Sequence, residues 1–270
     1  MFRKVGFIGA GNIASAMIQG IINSSYIKAR DIYISNIHKD KADLLAARFK
    51  ANAADNNIDL VKKSDVIVLS VKPDIYKSVL NEIRDVVTED KLIVTVAAGI
   101  TIDYVKGFLK KNIKVVRTIP NTPVLVGEGM IIASYAPPVD GHDMEFIKNM
   151  LSGCGMVEIM ENEELMDAVT ALCSSGPAFI DMLIEAMADA AVYLGLPRDK
   201  SYVMASQTIL GTSMMVIETK EHPGKLKDMV CSPKGTTIEG VRVLEEKGFR
   251  SAIIEAIIAT CNKAKKLSEQ

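Results

Sequence analysis

From Arg3 to about Ile159, short β-branched runs alternate with longer stretches whose apolar residues recur three or four positions apart. That alternation predicts βαβ units around a parallel sheet. The predicted strands are Lys4–Ile8, Asp31–Ser35, Asp65–Ser70, Leu92–Val96, Lys114–Thr118, Met130–Ser134 and Met156–Ile159. Val66-Ile67-Val68-Leu69 is apolar at successive positions, as a strand covered by helices on both faces requires. Helical spacing between the strands predicts Asn12–Ile22, Lys39–Lys50, Ile75–Val86 and Ile102–Leu109. After about Glu161 the strand pattern stops, and Ala, Met, Leu, Glu and Lys dominate. Helices are expected over Glu163–Leu172, Pro177–Leu194, Lys200–Thr219, Pro223–Val230, Thr236–Glu246 and Arg250–Lys266, with Gly195 and Pro197 stopping one and starting the next. The expected division is therefore residues 1–161, α/β, and residues 162–270, all helical.

The chemistry begins at the first strand. Gly9-Ala10-Gly11-Asn12-Ile13-Ala14 is a G-x-G-x-x-A that ends a strand and opens a helix. Gly9 suits the tight turn, Gly11 lets backbone approach a pyrophosphate, and small Ala14 lets helix and strand pack closely. The helix start adds unpaired N–H groups and partial positive charge. This marks a Rossmann-type dinucleotide site, unless the glycine turn serves packing alone. At the end of the second strand, Ser35-Asn36-Ile37-His38-Lys39 holds no acid before Asp40. An acid there would bind a ribose 2′-OH, so Ser35, Asn36 and Lys39 favour NADP(H), unless the loop is merely solvated with Lys39 in water. Three later loops lie at strand ends where such sheets bind ligands: Ser70-Val71-Lys72-Pro73, Val96-Ala97-Ala98-Gly99 and Thr118-Ile119-Pro120-Asn121-Thr122-Pro123. Lys72 is either a ligand contact or a surface lysine before a proline.

Two segments of the helical region stand out. Ser174-Ser175-Gly176-Pro177 interrupts a helical pattern and frees backbone groups for a ligand, or else Pro177 simply starts a helix capped by Ser174 or Ser175. Ser232-Pro233-Lys234-Gly235-Thr236-Thr237 gathers hydroxyls and N–H groups at a helix start, which suits a carboxylate or an ordinary cap.

Composition narrows the partners. With 32 Lys and Arg against 33 Asp and Glu, the net charge is −1 and no basic block occurs, which argues against nucleic acid and against a membrane surface. The four cysteines are widely spaced without C-x-x-C, so neither a disulfide framework nor a zinc site is expected, and a reducing cytoplasm fits. No signal peptide, membrane span or metal site is expected. The chain is 49% hydrophobic with 14 Met and no Trp, more adaptable apolar surface than its small aromatic content would suggest.

Together the stretches Gly9–Met17, Ser70–Pro73, Val96–Gly99, Val116–Pro123, Val126–Gly129, Ser175–Phe179 and Leu226–Glu245 resemble pyrroline-5-carboxylate reductase, in order and across nearly the whole chain. The resemblance implies an N-terminal Rossmann-type domain with a C-terminal all-helical dimerisation domain, in a homodimer assembled into a larger homo-oligomer. It implies reduction of Δ1-pyrroline-5-carboxylate to L-proline with NAD(P)H. It places the substrate carboxylate at Ser232–Thr237, with backbone of Gly235 and Thr236 holding it and the Thr237 hydroxyl near the ring nitrogen; Ser175 falls in another matching block. It places a cofactor-binding asparagine on Asn57. Lys234 departs from the pattern, standing where the family usually has the first of two glycines. Ile37 and His38 stand where many members carry Arg. The alternatives are a β-hydroxyacid-dehydrogenase-type reductase, disfavoured because Glu163–Leu194 lacks a lysine, and a non-catalytic NADPH sensor.

Overall fold

A computed structural model of the chain describes residues 3–109 and 112–268. Its strands are β1 Val5–Ile8, β2 Ile32–Ser35, β3 Asn52–Ala53, β4 Val66–Leu69, β5 Leu92–Thr95, β6 Lys114–Ile119, β7 Gly129–Tyr135 and β8 Gly155–Ile159. Between them lie α1 Asn12–Asn23, α2 Lys39–Phe49, α3 Asn57–Lys63, α4 Tyr76–Ile83, α5 Ile102–Phe108 and α6 Gly141–Leu151. The strands form one sheet in the order β3-β2-β1-β4-β5-β6-β7-β8.

Period-two alternation sends side chains to the two faces. Val5, Phe7, Val66, Val68, Leu92 and Val94 join α1, α2 and α6 in one core, while Ile8, Ile67, Leu69 and Ile93 join α3, α4 and α5 in the other. All four positions of β1, β4 and β5 are buried, as the unbroken apolar run at Val66–Leu69 implies. The order reverses at β1, flanked by β2 and β4, and a doubly wound sheet leaves its crevice at such a reversal.

The sheet is not all parallel, contrary to the expectation. β7 runs antiparallel to β6, with Thr118 opposite Ala133. The connection holds a short 3-10 turn over Thr122–Val126 and no crossover helix, so the chain can only fold back beside β6. β3, α3 and α6 were also not expected; α6 carries a capping box between Asp140 and Asp143.

The strands end at Ile159, and the compact units part at Ser175/Gly176. The first holds the described residues through Ser175 and those from Thr260 on; the second is Gly176–Ala259. The segment after Glu163 belongs to the first because the sheet anchors it. Within α7 Met166–Val169, Met166 and Val169 pack with Ile119 and Ile132. Arg117 of β6, 3% exposed, pairs with Glu163 at 3.1 Å and Asp167 at 3.8 Å.

In the second unit, α8 Gly176–Tyr193 packs against α9 Arg198–Thr219, followed by α10 Pro223–Met229 and α11 Thr236–Glu246; α12 Phe249–Ser268 ends the described chain. The positions buried along α8 and α9 are small: Ala188, Ser201 and Ala205. Met182, Met204, Leu210, Met214, Met215 and Ile254 are exposed. A surface this apolar is the mark of an interface.

Candidate active site

A cleft of about 530 Å³ opens at the carboxyl ends of β1, β2 and β4. Of the expected cofactor residues, Gly9, Ala10, Gly11, Asn36, Asn57, Ser70, Val71 and Lys72 line it. Gly9 has φ +112°, and a Cβ there would meet the Ser70 carbonyl oxygen at 2.5 Å, so the turn itself demands glycine. Gly11 differs. A Cβ on Gly11 would have no protein atom within 4 Å. The fold leaves this position open, and what glycine spares there is room for something entering the cleft. Gly11 is also the N-cap of α1, with no side-chain cap and no acid in the first turn, so the helix start offers its N–H groups outward. Open backbone, free N–H groups and a positive helix end fit a dinucleotide pyrophosphate.

Hydrogen bonds lock the loops around this turn. The Gly9 N–H donates to the Ser35 carbonyl at 2.8 Å. The Ser70 hydroxyl reaches the carbonyls of Ile8 and Gly9, at 3.0 and 3.1 Å. Tyr76, wholly buried, donates its hydroxyl to the Leu69 carbonyl at 2.5 Å and accepts the Val96 N–H at 3.4 Å. It thus ties the start of the Ser70–Pro73 loop to that of the Val96–Gly99 loop. Burial pushes the phenol well above its ordinary range and keeps it a donor.

On the β2 side of the cleft the Ser35 hydroxyl donates to Asn57 Oδ1 at 2.7 Å, and Asn57 Nδ2 donates to Glu82 at 2.7 Å. Lys39, at the first position of α2, pairs with Asp55 at 3.0 Å. The other expected residues lie off the cleft lining: Asn12 exposed and Ile13 half-buried on α1, Ala14 and Ser35 buried, Lys39 exposed at the start of α2, Pro73 exposed, and Ala97, Ala98 and Gly99 on the loop after β5. Asp55, Asn56, Ile75, Ser78, Val79 and Glu82 line it unexpectedly. Asn56 had a signal in Asn56-Asn57-Ile58-Asp59, where it caps α3 by accepting from the Asp59 N–H.

The Ser174–Pro177 interruption is a widened turn rather than a break. Thr170–Ser174 forms a π-helical turn in which the Ser175 N–H donates to the Thr170 carbonyl at 3.0 Å. Pro177 lacks the N–H that a helix would direct at the Cys173 carbonyl, and Asn121 Nδ2 donates there instead at 3.1 Å. Of the two readings of this segment, the one that leaves a backbone group for a ligand does not hold at this carbonyl, which is satisfied by protein, and α8 begins at Gly176 with Pro177 in its first turn.

In the second unit, Ser232-Pro233-Lys234-Gly235 makes a tight turn closed by the Gly235 N–H to the Ser232 carbonyl at 3.0 Å. Gly235 caps α11 without a side-chain hydrogen bond, and Ser232, Thr236 and Thr237 are exposed. Lys234 has φ +60°, the left-handed region that type II turns reserve for glycine. Lys234→Gly removes about 1 kcal/mol of strain and returns part of it through a looser unfolded chain. The unfolding midpoint is therefore expected to rise by about 1–2 °C in calorimetry, and a fall would contradict the turn assignment.

A family model described as pyrroline-5-carboxylate reductase dimerisation matches residues 163–267, and one described as NADP oxidoreductase, coenzyme F420-dependent, matches residues 4–99. The pyrroline-5-carboxylate reductase of Escherichia coli K12 is 43% identical over 269 residues, covering 100% of both chains. The chain belongs to the pyrroline-5-carboxylate reductase family. Among solved structures, the pyrroline-5-carboxylate reductase of Coxiella burnetii aligns with a TM-score of 0.93 at 32% identity over 100% of both chains. A Plasmodium falciparum pyrroline carboxylate reductase with NADP bound aligns at 0.89 and 33% identity, covering 98% of each.

Proposed function

We propose that this chain reduces Δ1-pyrroline-5-carboxylate to L-proline with NADPH, NADH serving as a weaker donor, the last step of proline biosynthesis. The end-to-end match to reductases of that name carries the reading. The bound nicotinamide cofactor supplies a hydride to the C=N carbon. The protein binds and orients. Gly9, Ala10, Gly11, Asn12 and Ile13 hold the pyrophosphate, with Ala14 packing α1 against the sheet. Ser35, Asn36, Lys39 and Asn57 hold the adenosine end. Ser70, Val71, Lys72, Pro73, Ala97, Ala98 and Gly99 face the nicotinamide half, on the two loops that Tyr76 joins.

Ser232, the backbone of Gly235 and Thr236, and the start of α11 hold the substrate carboxylate, with Ser175 a further substrate contact. Free N–H groups at a helix end suit an anion, and the Lys234 charge lies one residue away. Thr237 orients the ring nitrogen. An iminium is already electron-poor, so orientation and a proton from solvent suffice without a strong side-chain acid. Thr237→Ala is expected to lower kcat about tenfold, the worth of one hydrogen bond, while the NADPH Kd stays within about twofold. A non-catalytic NADPH sensor would show no turnover in either protein.

The helical region is a dimerisation domain, and the protein is a homo-oligomer acting on a small molecule. The exposed methionines of α8 and α9 are the surface a second copy covers, and assembly of dimers into a larger ring is part of the proposal. Glu163–Tyr193 is helical, long and apolar enough to cross a membrane by length and composition. Its place in the dimerisation region supports subunit packing instead. The four cysteines are all free, which suits a reducing cytoplasm.

A further inference from the structure

The cofactor cleft carries more negative charge at its adenosine end than the segment after β2 suggested. Asp55 and Glu82 both line it. Asp55 holds Lys39 at 3.0 Å, with the two side chains 74% and 61% exposed. Asp43 also acts on Lys39 electrostatically, and the Asp55 N–H donates to Asp59. Lys39 opens α2, four positions after β2 ends at Ser35 and beside the cleft-lining Asp55, on the segment where a Rossmann sheet meets the ribose 2′ position. A 2′-phosphate brings between one and two negative charges to that position; a 2′-hydroxyl brings none.

We propose that Asp55 sets the coenzyme preference of this protein by competing with the 2′-phosphate of NADPH for Lys39. A phosphate entering the cleft must draw the ammonium away from a carboxylate that already accepts its hydrogen bond. NADH makes no such demand. Its 2′-hydroxyl donates to a carboxylate as readily as to water. Asp55 thereby narrows the advantage that Lys39 gives NADPH. The inference rests on the dinucleotide reading of the cleft, not on the identity of the reduced substrate.

Equilibrium titration by reduced-nicotinamide fluorescence tests it without turnover, so failure of the proline-forming reaction and failure of this inference are separate results. Asp55→Asn is expected to tighten NADPH about threefold to fivefold, the scale of one exposed ion pair, and to move NADH by less than about twofold. Lys39→Gln is expected to weaken NADPH by a similar factor. In the Lys39→Gln background, Asp55→Asn should tighten NADPH by less than about twofold, because the competitor no longer has anything to withhold. Equal tightening of NADPH and NADH by Asp55→Asn, or the full effect persisting without Lys39, would overturn the proposal.

Discussion

Gly11→Val is expected to leave the protein folded and to weaken NADPH binding by about a hundredfold. The two halves of that expectation come from one geometric fact. A Cβ on Gly11 meets no protein atom within 4 Å, and its backbone is extended with φ −85°, which any residue adopts. Nothing in the fold resists a side chain there. A valine would instead occupy the cleft above the first turn of α1, where the pyrophosphate must approach the N–H groups. Steric overlap of one to three methyl-sized groups costs about 1–3 kcal/mol, and losing backbone hydrogen bonds to a charged group adds about as much. Calorimetry should show a midpoint near that of the parent protein while the NADPH titration collapses. Gly9→Val should do the opposite first. With φ +112° and the Ser70 carbonyl 2.5 Å from its Cβ position, it strains the turn itself. If Gly11→Val folds and binds NADPH normally, the cleft is not the dinucleotide site; if it unfolds, the fold does not leave this position open.

Arg117→Met is expected to lower stability by about 3 kcal/mol or more, with the unfolding midpoint falling by about 6–12 °C. Arg117 is 3% exposed on β6, between Glu163 and Asp167, which are 28% and 16% exposed. Its removal leaves two carboxylates close together with their shared cation gone, and breaking such a pair from one side costs far more than its presence contributes. The Glu163 carboxylate also accepts the Ile102 N–H at 2.9 Å, so the start of α5 is coupled to the same group. An unchanged midpoint at neutral pH would mean that the segment after Glu163 is not held to the sheet by charge.

The sequence made the sheet and its first helices legible because alternation and helical spacing are local signals, and Val66–Leu69 or Asn12–Ile22 each contain enough of them. β3 is two residues long, and α3 has seven, below the length at which periodicity speaks. β7 looked like its neighbours in composition; its direction is set by the absence of a crossover helix after Ile119, which strand patterning does not register. The G-x-G-x-x-A turn was readable because its chemistry lies in six consecutive positions. The adenosine end was not. Ser35, Asn57 and Glu82 come from β2, α3 and α4, and the order β3-β2-β1-β4 is what brings them within hydrogen-bond reach. Lys39 illustrates the limit: as a residue type it favoured a phosphate, while its partner Asp55 lies sixteen positions away and changes what that charge is free to do. Pro177 likewise leaves the Cys173 carbonyl without its helical donor, and the partner is Asn121 from the loop after β6, which no local pattern registers.

Reductive turnover of a defined imine is the most direct test. The purified protein, NADPH and Δ1-pyrroline-5-carboxylate are mixed, the near-ultraviolet absorbance of the reduced nicotinamide is followed, and the product is assayed by chiral chromatography. The account predicts loss of absorbance that requires both protein and imine, with L-proline appearing mole for mole with NADPH consumed. Absence of oxidation with NADPH and with NADH, in protein that binds either cofactor, would contradict it.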